Sequence, residues 1–286
     1  MKIKNTLLLL GFCSLVASAS AATIKINGST TVNLPVAEGA EILRAEKKMD
    51  IQVDTQGGSS GGISGVGDGL VQIGMSSKPI SDADRAKYPN VNFNPIRIGE
   101  DAVAMIVSRD VWEGGVKSLT KPQVRDIYEG RITDWKDVGG KPQRIAFFNK
   151  EPGRGTWEVF AYWLYSDPKK APQVSFPEVG GNEETRNKVS STRGAMSQLS
   201  SSWTDGQKVF ALAIKNNDGE VVEPTPQNIA THKYSMSRPL FLLTNGEPQG
   251  EAQAVVEFML SPRGQELVRK HGYLGIAELK GETPQR

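Results

Sequence analysis

The sequence is poor in the residues that most metal sites and covalent catalysts need. Its 286 residues include one cysteine, Cys13, and two histidines, His232 and His271. Cys13 lies in a segment that we interpret below as a removable leader, so the rest of the chain has no thiol for a disulfide, a metal or a nucleophile. Two distant histidines likewise argue against a transition-metal site.

The chain also lacks an excess of charge of either sign. Lys and Arg total 34 against 32 for Asp and Glu, a formal net charge of +2. This balance gives no reason to expect a nucleic acid or a membrane surface as the partner, so a charged ligand must be held locally. The 30 glycines and the hydrophobic fraction of 38% are typical of a soluble globular protein. The length indicates one large domain or two lobes.

Residues 1–22 predict a secretory signal peptide. Two lysines precede an apolar run at residues 7–16, and small residues follow at 17–22. The apolar run is too short to span a bilayer, and no later stretch approaches the roughly 20 apolar residues of a membrane helix. We therefore expect a periplasmic protein, secreted through a cleaved signal peptide. The alternative is a lipoprotein anchor at Cys13, but bulky Phe12 precedes it where a small residue is expected.

Four segments repeat one layout, in which a short apolar strand leads into a loop of glycine and hydroxyl residues and then into a helix. The loops lie at 28–31, 57–62, 76–79 and 150–156. Strands that alternate with helices predict α/β architecture with parallel sheets. Ligands of open α/β sheets bind beyond the carboxyl ends of the strands, where helix N-termini offer unpaired N–H groups and partial positive charge. The loops therefore predict an oxyanion site.

Two apolar segments, 102–108 and 239–244, are candidates for strands that cross between two lobes. This interpretation predicts lobe one at residues 23–102 and 236–286, and lobe two at residues 103–235. The first three loops would then face the fourth loop across a cleft.

One loop also matches a pattern found in enzymes. Residues 57–61 fit the Gly-x-Ser-x-Gly sequence of hydrolase nucleophile elbows, which need a histidine partner. His271 precedes Gly272 and is interpreted as a residue at a helix C-terminus. His232 lies beside Lys233 in a polar segment, so neither histidine indicates a catalytic base. No Walker A sequence and no complete Gly-x-Gly-x-x-Gly follows a strand. We therefore expect no enzyme and no cofactor.

Seven short stretches, taken in order, resemble the phosphate-binding proteins of bacterial ABC phosphate importers. They are GSTT at 28–31, GGSSGG at 57–62, IGMSS at 73–77, YEGRITDW at 128–135, GRGT at 153–156, LSPRGQ at 260–265 and GYL at 272–274. The resemblance covers nearly the whole chain after the leader. It implies a two-lobed periplasmic-binding-protein fold with the ligand cleft between the lobes. It also implies inorganic phosphate as ligand, the membrane subunits of an ABC transporter as partner, and no nucleic acid.

Carried over by position, the resemblance implies a set of phosphate-binding residues. These are Thr30, Thr31, Ser59, Ser60, Ser76, Ser77, Lys150, Arg154, Gly155 and Thr156.

Two departures from the family pattern leave alternatives open. Many members have an aspartate where Ser77 stands, and it is held to help reject sulfate, so another tetrahedral oxyanion such as sulfate or molybdate is one alternative ligand. Many members also have arginine at Lys150 and serine at Arg154. Either Arg154 or Lys150 is then the main charge partner. A surface or sensory protein that keeps the fold without binding an anion is the other alternative.

Overall fold

Strands and helices alternate from the start of the described chain. A computed structural model describes residues 23–279, so the predicted signal peptide with Cys13 and residues 280–286 lie outside the described residues. The first part of the chain forms β1 (Ile24–Gly28), α1 (Thr30–Lys47), β2 (Ile51–Asp54), α2 (Gly58–Gly67), β3 (Ile73–Ser76) and α3 (Asp82–Lys87).

A long strand opens the second part of the chain. The elements are β4 (Phe93–Ser108), α4 (Arg109–Glu113), β5 (Ser118–Thr120), α5 (Lys121–Tyr128), β6 (Ala146–Lys150), α6 (Gly155–Tyr165), β7 (Glu178–Val179), α7 (Asn182–Ser191), β8 (Ala195–Ser200), β9 (Val209–Lys215), β10 (Val221–Val222) and α8 (Pro226–Ala230). The last part forms β11 (Ser237–Asn245), α9 (Gly250–Leu260) and α10 (Pro262–Lys270). Within residues 23–279, no helix has the length and apolar character needed to cross a membrane.

The predicted α/β class is confirmed, although the sheet is mixed rather than wholly parallel. Strand β1 lies between β2 and β3 and is parallel to both. Strand β11 runs antiparallel between β3 and β4. Beyond β11, β4 continues as an antiparallel partner of β8 and β9, and β6 is parallel to β8 and β7. The single strand β4 therefore belongs to both halves of the molecule.

Two main hydrophobic cores correspond to two lobes. In lobe one, α1, α9 and α10 cover β1–β3 and β11, with Val36, Ile73 and Val255 among the buried side chains. In lobe two, a second core contains the buried aromatic residues Tyr128 and Phe160. The strand that leads into lobe two, β4, and the strand that returns from it, β11, lie side by side, because they pair where they cross between the cores.

Local sequence explains why helices begin at one edge of the lobe-one sheet. The Ser29 hydroxyl caps α1 by accepting hydrogen bonds from the backbone N–H groups of Thr31 and Val32. Helix α2 lies so close to the sheet that a Cβ atom on Gly62 would stand 2.5 Å from the carbonyl oxygen of Met75. Glycine at this position lets the first turn of α2 reach the same edge as the first turn of α1.

Candidate anion-binding site

A small cavity lies where the loops of lobe one meet the start of α6. Its lining residues come from both lobes: Ser29, Thr30, Thr31, Gly58, Ser59, Ser77, Lys150, Arg154, Gly155, Thr156, Gly180 and Asn182. The cavity volume open to a water-sized sphere is about 10 Å³. Pockets for drug-sized ligands are far larger, roughly 300 to 1,000 Å³, so this cavity suits a small ion. None of these described lining residues is an aspartate or a glutamate.

Four helices present their first turns to the cavity. Helix α1 contributes Thr31, α2 contributes Ser59, α6 contributes Thr156 and α7 contributes Asn182. The first backbone N–H groups of a helix have no partner within the helix, and the helix dipole places partial positive charge there. A negative ligand is therefore stabilised from several directions without any excess of positive charge on the protein as a whole.

Three buried serine hydroxyls form a connected group on the lobe-one side. Ser29 donates from Oγ to Ser77 Oγ at 3.0 Å, and the backbone N–H of Ser77 donates to Ser59 Oγ at 3.0 Å. The hydroxyls of Ser59 and Ser77 lie 3.3 Å apart. These contacts hold the loop after β3 against the starts of α1 and α2 and so fix the shape of this cavity wall.

Lys150, at the end of β6, is buried but has its protons already engaged. Its Nζ donates to the carbonyl oxygens of Gly180 and Gly181 at 2.8 and 3.0 Å, and to Asn182 Oδ1 at 3.3 Å. Burial lowers the pKa of Lys150 well below its usual value, and the positive charges of Arg154 and Arg238 lower it further. Lys150 therefore holds the loop before α7 in place, in addition to placing its charge beside the cavity.

Arg154 lines the cavity from the loop that joins β6 to α6. Its Nε and Nη2 donate to Glu151 Oε2 at 2.9 and 2.8 Å. Its Nη1 donates to no atom of the described residues, and the side chain is 18% exposed. Gly58 has no side chain to block it, since a Cβ there would lie 2.6 Å from Arg154 Cδ. Arg154 is thus the cation with donors still available to a ligand.

The structure reveals a third cation, Arg238 on β11, that the sequence analysis missed. Its side chain is 1% exposed and pairs with buried Asp101, to which Nε and Nη2 donate at 3.0 and 2.7 Å. The two residues share one sequence feature, which does not by itself indicate that they meet or are buried. Each of the two charged residues precedes one of the apolar segments that were predicted to cross between the lobes, beginning at 102 and 239.

Most of the predicted site residues come together at the cavity. Thr30, Thr31, Ser59, Ser77, Lys150, Arg154, Gly155 and Thr156 all line it.

Ser60 and Ser76 do not line it. The Ser76 hydroxyl donates to the carbonyl oxygen of Lys78 at 2.8 Å, inside the turn after β3. Ser60 instead donates its backbone N–H to the carbonyl oxygen of Gly153 at 3.1 Å, which joins the two lobes.

A second contact between the lobes is an ion pair beside the cavity. Lys78, which follows β3, donates from Nζ to both carboxylate oxygens of Glu158 on α6 at 2.8 Å. Asp84 lies 3.5 Å from the same Nζ. The Lys78 side chain is 5% exposed and that of Glu158 is 25% exposed. The pair therefore stabilises the arrangement in which the lobes touch.

Comparisons with known proteins point to one family. Residues 16–263 match the model of a PBP superfamily domain. The chain is 30% identical over 264 residues to the phosphate-binding protein PstS of Bacillus subtilis strain 168, covering 90% of this chain and 82% of that protein. It is 26% identical over 262 residues to the phosphate-binding protein PstS of Borreliella burgdorferi, covering 88% of this chain and 90% of that protein.

Two solved structures share the fold. One, from Clostridium perfringens, is assigned as a substrate-binding protein of a phosphate ABC transporter and contains bound phosphate. It superposes with a TM-score of 0.78 at 28% identity and covers 89% of this chain and 100% of its own. The other is an ABC-type phosphate transport receptor from Vibrio cholerae, with a TM-score of 0.69 at 26% identity and coverage of 88% and 99%.

Proposed function

The chain belongs to the phosphate-binding proteins of ABC phosphate importers, within the PBP superfamily, and from this premise we propose that its cavity captures inorganic phosphate. The phosphate is then delivered to the membrane subunits of an ABC transporter. The observation that carries the proposal is a small cavity lined by hydroxyls, helix N-termini and two cations, with no carboxylate among its described lining residues.

The proposed ligands are those predicted residues that line the cavity. The hydroxyls of Thr30, Thr31, Ser59, Ser77 and Thr156 donate to phosphate oxygens, as do the backbone N–H groups near Gly155. Arg154 contributes a charge-assisted hydrogen bond through its available Nη1. Lys150 contributes charge and holds the loop before α7. Ser60 and Ser76 are left out because neither lines the cavity.

Closure of the cleft follows from the position of these donors. Thr31, Ser59 and Ser77 belong to lobe one, whereas Arg154 and Thr156 belong to lobe two. A phosphate ion gains contacts from both sets only when the lobes are together, so binding shifts the population toward the closed form. We propose that lobe one comprises residues 23–102 and 236–286 and that lobe two comprises residues 103–235.

The site of action is outside the cytoplasm, as it is for PstS-like binding proteins. We propose the finer assignment that residues 1–22 are cleaved and that the protein works in the periplasm as a binding protein without catalysis.

Titration calorimetry of residues 23–286 with sodium phosphate tests the function. We expect saturable binding at one site per chain, and a raised melting temperature at saturating phosphate. Sodium sulfate is the matched competitor, because it is also a tetrahedral oxyanion. The absence of heat and of a thermal shift at millimolar phosphate would overturn the proposal, and so would displacement of phosphate by sulfate at comparable concentration.

A further inference from the structure

Arg238 lies behind the cavity and has no donor left for a ligand. A guanidinium carries five N–H donors. Two of the Arg238 donors go to Asp101, one from Nε and one from Nη2. The other three go to hydroxyl oxygens: Nη1 donates to Thr156 at 2.9 Å and to Ser77 at 3.3 Å, and Nη2 donates to Thr31 at 3.2 Å. The three hydroxyls belong to three separate segments, and all three residues line the cavity.

The hydrogen bonds that these hydroxyls accept determine where their own protons can go. A hydroxyl oxygen has two lone pairs and one proton. Thr31 Oγ1 accepts from Arg238 and from Asn182 Nδ2 at 3.0 Å, so both of its lone pairs are occupied. Ser77 Oγ accepts from Arg238 and from Ser29 Oγ, so both of its lone pairs are also occupied, and its proton can reach Ser59 Oγ at 3.3 Å or a ligand.

The Thr156 hydroxyl has only one of its two lone pairs occupied. Its Oγ1 accepts one hydrogen bond from Arg238 and makes no other hydrogen bond with the described residues. In all three cases the hydrogen bond from Arg238 occupies a lone pair of the hydroxyl oxygen, so the hydroxyl proton can be donated to another partner.

We propose that Arg238 is a positioning residue that turns the hydroxyls of Thr31, Ser77 and Thr156 into donors facing the bound anion. The inference rests on the proposed function and names how the rear wall of that same site recognises its ligand. The wall presents hydroxyl protons and few free lone pairs, so it donates hydrogen bonds to the unprotonated oxygens of phosphate. Asp101 neutralises Arg238 and fixes its plane, so Arg238 acts through hydroxyl direction rather than through net charge.

A double-mutant cycle distinguishes this role from a merely structural one. Arg238→Lys keeps the charge but has three donors in place of five, so it cannot serve Asp101 and all three hydroxyls. We expect Arg238→Lys to weaken phosphate binding about 10- to 100-fold, and Thr156→Val about 10-fold. If Arg238 acts through Thr156, the double variant binds within about threefold of the weaker single variant.

Thr30 supplies the matched control for this cycle. It lines the same cavity but accepts no hydrogen bond from Arg238. The losses of Arg238→Lys and Thr30→Val should therefore multiply in the double variant. Multiplying losses in the Thr156 cycle as well would overturn the inference. Failure of the unmutated protein to bind phosphate would instead overturn the proposed function.

Asp101→Asn provides a second route, should Arg238→Lys fail to fold. It keeps all the Arg238 donors but removes the carboxylate that fixes the plane of the guanidinium. We expect a smaller loss of phosphate affinity, about 3- to 10-fold, that is again coupled to Thr156→Val and not to Thr30→Val. An Asp101→Asn variant with the phosphate affinity of the unmutated protein, or with losses that multiply with those of Thr156→Val, would contradict the proposed role.

Discussion

The ion pair between Lys78 and Glu158 should contribute to phosphate affinity although neither residue lines the cavity. The pair joins the two lobes, with both carboxylate oxygens of Glu158 at 2.8 Å from Lys78 Nζ. Glu158→Gln removes the charge at constant shape. It should therefore disfavour the closed form in which phosphate is held, and raise the apparent dissociation constant by the same factor as it lowers the closed population.

The size of this effect follows from distance and burial. Two unit charges 2.8 Å apart attract by about 6 kcal/mol at an effective dielectric constant of about 20. Desolvation cancels most of this, so the net value lies between the 0 to 1 kcal/mol of exposed pairs and the 3 to 5 kcal/mol of broken buried pairs. Asp84, at 3.5 Å from Nζ, still compensates Lys78 in the variant. We expect about 1.5 kcal/mol, or roughly tenfold weaker binding.

The assay combines calorimetry with stopped-flow measurement of phosphate release. Most of the loss should appear as faster release, because the pair forms only after the lobes meet. Glu266→Gln is the matched control, since Glu266 is exposed on α10 and away from the contact between the lobes. A Glu158→Gln variant that binds within twofold of the unmutated protein, or one no weaker than Glu266→Gln, would refute the reasoning.

Three further predictions follow from single contacts. Arg154→Ala should weaken phosphate binding by about 1.5 to 3 kcal/mol and make it less sensitive to salt, which calorimetry at low and high salt checks against an unchanged melting temperature. Gly62→Ala should lower the free energy of unfolding by about 1 to 3 kcal/mol, because the new Cβ meets the carbonyl oxygen of Met75; an unchanged denaturant midpoint would contradict this. The hydrogen bond from Lys270 holds the pKa of Glu38 below its ordinary value of 4.5, so the stabilisation is present at neutral pH and is lost as the pH falls through the lowered pKa. Thermal melts of Glu38→Gln should therefore show a loss at about pH 7 that disappears as the pH falls below the lowered pKa of Glu38.

Much of the site could be predicted because it is built from local signals. Glycine and hydroxyl residues after apolar strands predict loops at the carboxyl ends of the strands, and those ends meet at one edge of a sheet. The same reasoning could not tell which of two adjacent serines lines the cavity. Ser76 and Ser77 point to opposite sides of an extended chain, and Ser59 and Ser60 are about 100° apart around a helix. In each pair only one residue, Ser77 or Ser59, lines the cavity.

Arg238 could not be predicted to belong to the site, because its partners are distant in the chain. Thr156, Asp101 and Thr31 are 82, 137 and 207 residues away from it. A single arginine before an apolar strand is equally compatible with an exposed position. The burial of Arg238 depends on the acid that the fold brings beside it, and that acid is supplied by the pairing of β4 with β11.

The position of β11 between β3 and β4 affects the order in which the two lobes are completed during synthesis. Strands β4 to β10 leave the ribosome before β11, so the sheet of lobe two can form while lobe one still lacks a strand. Until residue 237 emerges, β3 is an unpaired edge whose residues, from Ile73 to Ser76, are all buried in the finished protein. Such an edge is prone to pair with other chains. A chain that stops before β11 therefore exposes this edge and lacks Arg238, so it cannot form the rear wall of the cavity.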